Sequence, residues 1–142
     1  MKLLHQQLTD SIIKTFYEVY NELGYGFLEK VYQNSLYIEL KNKGFKVEAQ
    51  KKISVYYKGI EVGEYYANLI VEDFIILELK AADCIVKDFE NQVLNYLRGT
   101  DCEIGLLLNF GKKLNLKEKF SKISEKQENK ICFYPSSNTL SN

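Results

Sequence analysis

A chain of 142 residues, 46% hydrophobic and 27% charged, is sized for one soluble domain with a single proper core. Nineteen Lys and Arg balance nineteen Asp and Glu, which argues against a generic polyanion binder, since such proteins carry a basic excess. Three widely spaced cysteines, Cys84, Cys102 and Cys132, fit neither a disulfide framework nor a zinc pattern.

The thiols therefore point to a reducing, cytoplasmic setting. Met1 to Asp10 lacks a signal segment, and no run reaches the ~18 apolar residues needed to span a bilayer, so no membrane association is expected. Residues 9 to 23 read as a helix, with Ile12, Ile13, Phe16, Val19, Tyr20 and Leu23 along one face and Gly24 as its stop. After Tyr25-Gly26 a second helix runs to about Lys43, and Glu29 falls in its first turn. The period then changes from 3.6 to 2. Phe45 to Tyr57 and Ile60 to Val71 read as strands joined by a Lys58-Gly59 hairpin.

Glu72-Asp73-Phe74 turns the chain into a third strand, Ile75 to Ala81. Asp88 to Arg98 is helical, and Glu103 to Phe110 a buried strand. Lys112 to Lys130 is a highly charged stretch that reads as solvated, followed by a short strand at Ile131 to Tyr134. The expected plan is one domain over 1–134 and a flexible tail over 135–142. Helix, helix, three-strand meander, helix, strand implies an α/β or α+β fold with a central mixed sheet. A right-handed crossover would make the third and fourth strands parallel.

The chemistry concentrates in Tyr65 to Lys80. Glu78 and Lys80 sit two apart on an apolar strand and so share one face. Charges there need partners or a cation. Whether Asn68 opposes Glu78 depends on the turn. A two-residue turn at 72–73 would point Asn68 away, whereas a three-residue turn over 72–74 pairs Val71 with Ile75 and sets Asn68 against Glu78. The three-residue form is favoured because it gathers the polar groups, at the cost of placing Phe74 in a turn. The single histidine, His5, lies near the terminus and is not expected to act in catalysis.

Gly26-Phe27-Leu28-Glu29-Lys30-Val31-Tyr32, Val55 to Gly59, Leu77-Glu78-Leu79-Lys80-Ala81, Gln92 to Leu97 and Gly105 to Gly111 occur in an order and spacing that resembles the GxxExxY family of the PD-(D/E)XK nuclease-like superfamily. The resemblance spans about residues 9 to 120. It implies a restriction-endonuclease-like core, a central mixed sheet of about four to five strands flanked by helices. It also implies phosphodiester hydrolysis, DNA being the expected substrate, with weakly held magnesium or manganese. Glu78 matches the acidic metal ligand, Lys80 the catalytic lysine, Glu29 the helix carboxylate that completes the site, and Gln92 the polar residue of the following helix. Asn68 stands where Asp is expected among the metal ligands, and Phe89 where family members often carry His. The alternative is a catalytically inactive module that binds nucleic acid or a protein partner, in one form as a homodimer.

Overall fold

The computed structural model describes residues 2–121 and 132–135. Three helices, α1 (Lys2–Leu23), α2 (Glu29–Asn42) and α3 (Lys87–Arg98), surround six strands. These are β1 (Val47–Tyr57), β2 (Ile60–Val71), β3 (Ile75–Lys80), β4 (Ile104–Phe110), β5 (Leu114–Phe120) and β6 (Cys132–Pro135). They form one sheet in the order β1-β2-β3-β4-β5-β6. Among the described residues only β3 and β4 run parallel, joined through α3. The mixed sheet flanked by helices is the expected architecture, with β6 added to a core of five strands.

Two apolar layers fix the arrangement. On one face, Ile12 and Phe16 of α1 and Tyr32, Leu36 and Leu40 of α2 pack over Leu69, Leu77, Leu79, Leu106, Leu108 and Phe110. On the other, Val93, Tyr96 and Leu97 of α3 cover Ile70, Ile76 and Leu107. β3 thus turns its odd residues toward α1 and α2 and its even residues toward α3, as the period of two requires. α1 begins earlier than its periodicity suggests. Leu8 joins the core, and the His5 ring stacks on Phe74 with centroids 3.9 Å apart. That contact shields the aromatic ring that a turn would otherwise expose.

The turn spans three residues, with Val71 paired to Ile75 and Leu69 to Leu77. Glu72 and Asp73 both take left-handed backbone, φ 54° and 53°. Lys46 braces them: its N–H donates to Glu72 at 3.0 Å and its ammonium bonds Asp73 at 2.7 Å.

The charged stretch from Lys112 is not wholly a solvated face. Residues 114–120 form β5, with Leu114 and Leu116 in the core. Lys119 is 3% exposed and pairs at 2.8 Å with Glu90 of α3, itself buried, which also holds Lys117 at 3.2 Å. Burial raises the Glu90 pKa, but the two ammoniums outweigh it and hold the carboxyl below its ordinary value. Residues 122–131 and the tail expected beyond Pro135 lie outside the described residues. Among the described residues no helix is long and apolar enough to cross a membrane.

Candidate functional site

The residues of the Gly26-to-Tyr32 motif act as a mount for Glu29. Tyr32 is fully buried, its ring stacked on Phe110 with centroids 4.2 Å apart. Its hydroxyl donates to the Gly24 carbonyl at 2.7 Å and accepts from the Phe27 N–H at 3.3 Å. Gly26 has φ 104°, a conformation L side chains rarely adopt, so the loop can fold back onto Tyr32. Glu29 follows as the first residue of α2, where a carboxylate is favoured by the helix dipole.

Asn68 has a different kind of position. Ala67 packs with the α3-side cluster, Leu69 with the opposite one, and Ile70 with the α3 side again. The period of two therefore breaks at Asn68, across from Gln50, whose φ is 54°. The Asn68 side chain substitutes for the interrupted ladder. Its Oδ1 accepts the Leu79 N–H at 2.9 Å, and its Nδ2 donates to Gln33 Oε1 on α2 at 2.8 Å. Gln50 Nε2 donates to the same Gln33 oxygen at 2.6 Å. Three amides from α2, β1 and β2 thus lock β2 to the backbone of β3 where the site begins.

Glu78 and Lys80 face α3. Glu78 is 4% exposed, and its carboxyl takes hydrogen bonds from the Tyr96 hydroxyl and the Asn68 backbone N–H. Burial pushes its pKa from the ordinary 4.5 up to about 7. Lys80, Tyr96 and the Asn68 N–H pull it down, while the negative charge of Glu29 adds to the rise. Gln92 hydrogen-bonds the Tyr96 hydroxyl one helical turn on, and burial followed by the charge of Glu78 drives that phenol strongly upward, keeping it protonated as a donor. The Lys80 ammonium lies 4.7 Å from the centroid of the Phe89 ring, a cation–π contact. Lys80, Phe89, Gln92 and Tyr96, with Tyr65 and Asp88, line one open groove of about 450 Å³. Asn109, paired with Lys80 across β4, clasps Ala82 through both its N–H and its carbonyl, at 2.9 and 3.0 Å. The strand end that carries Lys80 is fixed by that clasp.

A buried acid and a lysine two residues apart, on the strand before a parallel crossover, make up the arrangement expected from the Glu-x-Lys element. The PD-(D/E)XK nuclease superfamily matches this chain over residues 6–123. The chain belongs to that superfamily. Comparison with curated proteins gives no match. Among solved structures, the one titled "Crystal structure of SSO0001" is similar with a TM-score of 0.55 and 16% identity, over 70% of this chain and 53% of that one. The chain spans about half the length of that protein, and the likeness is one of fold.

PD-(D/E)XK nucleases typically use divalent metals, and the oxygen donors nearest the Glu-x-Lys element are the Glu78 carboxyl and the Asn68 amide. Glu78 forms no salt bridge among the described residues, so a cation could restore the ionised state that burial disfavours. Glu29 bears on it electrostatically from the start of α2. The Asn68 oxygen already accepts one N–H and keeps a second lone pair. No group of three or more His, Cys, Asp or Glu side chains that could hold a metal occurs among the described residues.

The structure therefore gathers Lys80 and Gln92 at one groove, sets the buried Glu78 against Tyr96 of its lining, and brings Glu29 within electrostatic reach of Glu78. It joins Asn68 to Glu78 through the backbone, while the Asn68 amide runs to α2. Tyr96, Tyr65 and Gln33 are neighbours that sequence reasoning did not single out. For Tyr96 a signal existed: Gln92 and Tyr96 are four apart and so stack on one helix face.

Proposed function

We propose that this domain is a metal-dependent nuclease of the GxxExxY kind, which hydrolyses phosphodiester bonds, DNA being the expected substrate. The observation that carries this reading is the buried Glu78 carboxyl, hydrogen-bonded to Tyr96 and within electrostatic reach of Lys80, both of which line the groove with Phe89 and Gln92. Glu78 and Glu29 would hold magnesium or manganese, with Asn68 offering a neutral oxygen. A cation there supplies charge neutralisation on the phosphate and acidifies an attacking water. In the hydrolysis, water oxygen bonds to phosphorus, the ester P–O bond breaks, and the leaving oxygen takes a proton. Lys80 offers its ammonium to the negative charge that develops on the phosphoryl oxygens. The Phe89 face steadies that ammonium without neutralising it. Tyr96 fixes the rotamer of Glu78, and Gln92 fixes the hydroxyl of Tyr96.

The reading predicts magnesium- or manganese-dependent cleavage of DNA that Glu78→Ala and Lys80→Ala each abolish. Cleavage that survives either change would place the chemistry elsewhere. One observation favours a second reading, a nuclease-like module that binds nucleic acid or protein without cutting. The Asn68 amide, standing where the superfamily carries a carboxylate, is engaged at both ends by Leu79 and Gln33. Absence of cleavage under every divalent metal, with salt-sensitive DNA binding retained, would establish that alternative.

A further inference from the structure

The β1–β2 hairpin extends well beyond the rest of the sheet, because β3 pairs only with Leu69 to Val71 of β2. Its outer half has two faces, of which one carries ion pairs and the other runs into the groove. On one, Lys52 pairs with Glu61 at 3.3 Å and Glu64 at 3.0 Å, and the Tyr66 hydroxyl donates to Glu64 at 3.0 Å. That face carries the ion pairs, together with Tyr56, which stands opposite Glu61 and is 64% exposed. On the other, cross-strand pairs set Ile53 beside Tyr65, Val55 beside Gly63 and Tyr57 beside Ile60. Ile53 is buried under α3, whereas Tyr57 and Ile60 are 64% and 69% exposed. The apolar face is continuous with the groove: the Tyr65 ring lies 5.5 Å from that of Tyr96 and lines the same cavity as Lys80. At the hairpin tip the Lys58 ammonium sits 5.5 Å from the Tyr57 ring centroid and forms no ion pair among the described residues.

We propose that this hairpin face, from Tyr65 at the groove through Val55 to Tyr57 and Ile60 at the tip, is a stacking platform for the unpaired bases of a single nucleic-acid strand. The charge inventory selects a single strand over a duplex. A duplex hides its bases and is held through many phosphates, each needing a cation. This chain has zero net charge, and along this path Lys80 and Lys58 are the cations. A single strand exposes a π-face at every nucleotide, and aromatic stacking holds it with few charges. Gly63 leaves open space above Val55, with nothing within 4 Å of where a Cβ would stand. A base can therefore lie flat between the Tyr65 and Tyr57 rings. The strand's phosphates then run between Lys58 and Lys80, and the nucleotide at Lys80 is the one presented to Glu78.

The location of the cut rests on the nuclease reading; the binding does not. The test is fluorescence anisotropy of a fluorescein-labelled oligothymidine and of a labelled duplex, in EDTA so that nothing is cut. The single strand should bind at least about tenfold more tightly. Tyr57→Ala should weaken it by about five- to a hundredfold, and Tyr66→Ala on the opposite face should leave it unchanged. Tyr57 is solvent-exposed at a hairpin tip, so its loss does not threaten the fold. Equal affinity for duplex and single strand overturns the proposal, as does a Tyr57→Ala protein that binds like wild type. If sedimentation shows a dimer that Tyr57→Ala dissociates while oligothymidine affinity stays constant, the face belongs to a second copy of the chain and the proposal is likewise overturned. Stacking in EDTA without cleavage under any metal would leave the platform standing and remove the nuclease reading. Duplex cleavage untouched by Tyr57→Ala would do the reverse.

Discussion

Glu78→Gln should stabilise the metal-free protein at neutral and alkaline pH, although it removes a charged residue from the candidate site. The amide is nearly isosteric and its carbonyl oxygen can keep both hydrogen bonds, from Tyr96 and from the Asn68 N–H. What it removes is the cost of ionising a carboxyl that is 4% exposed. In the folded protein the Glu78 pKa rises from 4.5 to about 7, so the folded state binds the proton more tightly than the unfolded chain does. The contribution from that proton is complete below about 4.5 and is lost as pH rises through about 7. At about 1.4 kcal/mol for each unit, the loss comes to about 3 kcal/mol.

Glutamine does not titrate, so its stability should stay level over the same window. Urea denaturation in EDTA, followed from about pH 4 to about pH 8.5, gives the comparison. With a urea dependence of roughly 2 kcal/mol per molar, the variant's midpoint should exceed wild type by about 1 to 1.5 M at the alkaline end. At the acid end the two should nearly coincide. If the two midpoints keep a constant separation across the whole range, Glu78 does not ionise against a burial cost and the electrostatic account of the site is wrong.

Tyr96→Phe removes a donor to the Glu78 carboxylate, and should move the acid limb of any metal-dependent cleavage upward by about one pH unit; an unmoved pH–rate profile refutes the contact. Asn68→Asp should tighten magnesium binding by up to about 8 kcal/mol, the attraction between one added negative charge and a divalent cation at roughly 4 Å and an effective dielectric of about 20. Isothermal titration calorimetry reads it, and binding by neither protein sinks the metal site. The same substitution requires Gln33 to turn its amide, since its Oε1 would otherwise face a carboxylate oxygen; Gln33→Glu combined with Asn68→Asp should therefore destabilise the fold, as seen in thermal melts. Glu90→Gln leaves the Lys119 ammonium, 3% exposed, without its carboxylate, and should cost about 3 kcal/mol. A melting temperature lowered by less than about 2 °C would show that Lys119 is solvated after all.

The sequence carried the scaffold through features that are local and periodic. The change from a period of 3.6 to one of 2 after Gly44, the Lys58-Gly59 hairpin and the crossover after Lys80 each depend on few neighbours. The three-residue turn was found as expected, but the shared face that favoured it was not: the strand period breaks at Asn68, whose amide runs to Gln33 of α2 while Glu78 meets Tyr96 of α3. β5 was missed because Lys117 and Lys119 mask an alternation, Leu114, Leu116, Glu118, Phe120, that would otherwise read as a strand. Their solvent-like appearance fails because Glu90, some thirty residues earlier, meets them inside. Asn68 was read as a carboxylate position lacking its charge. Its bonds to Gln33 and Leu79 could not be read the same way, since they depend on a break in strand period and on an amide from another layer. Tyr96 had the right helical spacing, but an inward tyrosine on an amphipathic helix is ordinarily core.

The order in which the chain is made gives the crossover a further meaning. When synthesis reaches Lys80, the three-strand meander and both residues of the Glu-x-Lys element exist, but the helix that covers them does not. Until Lys87–Arg98 has emerged and Ile104–Phe110 has paired beside β3, Ile70 and Ile76 have no cover on that face and Glu78 remains in water as an ordinary carboxylate. The acid acquires its raised affinity for the proton only when α3 closes over it. A nascent chain stalled before Gly105 would hold the site's residues without the site.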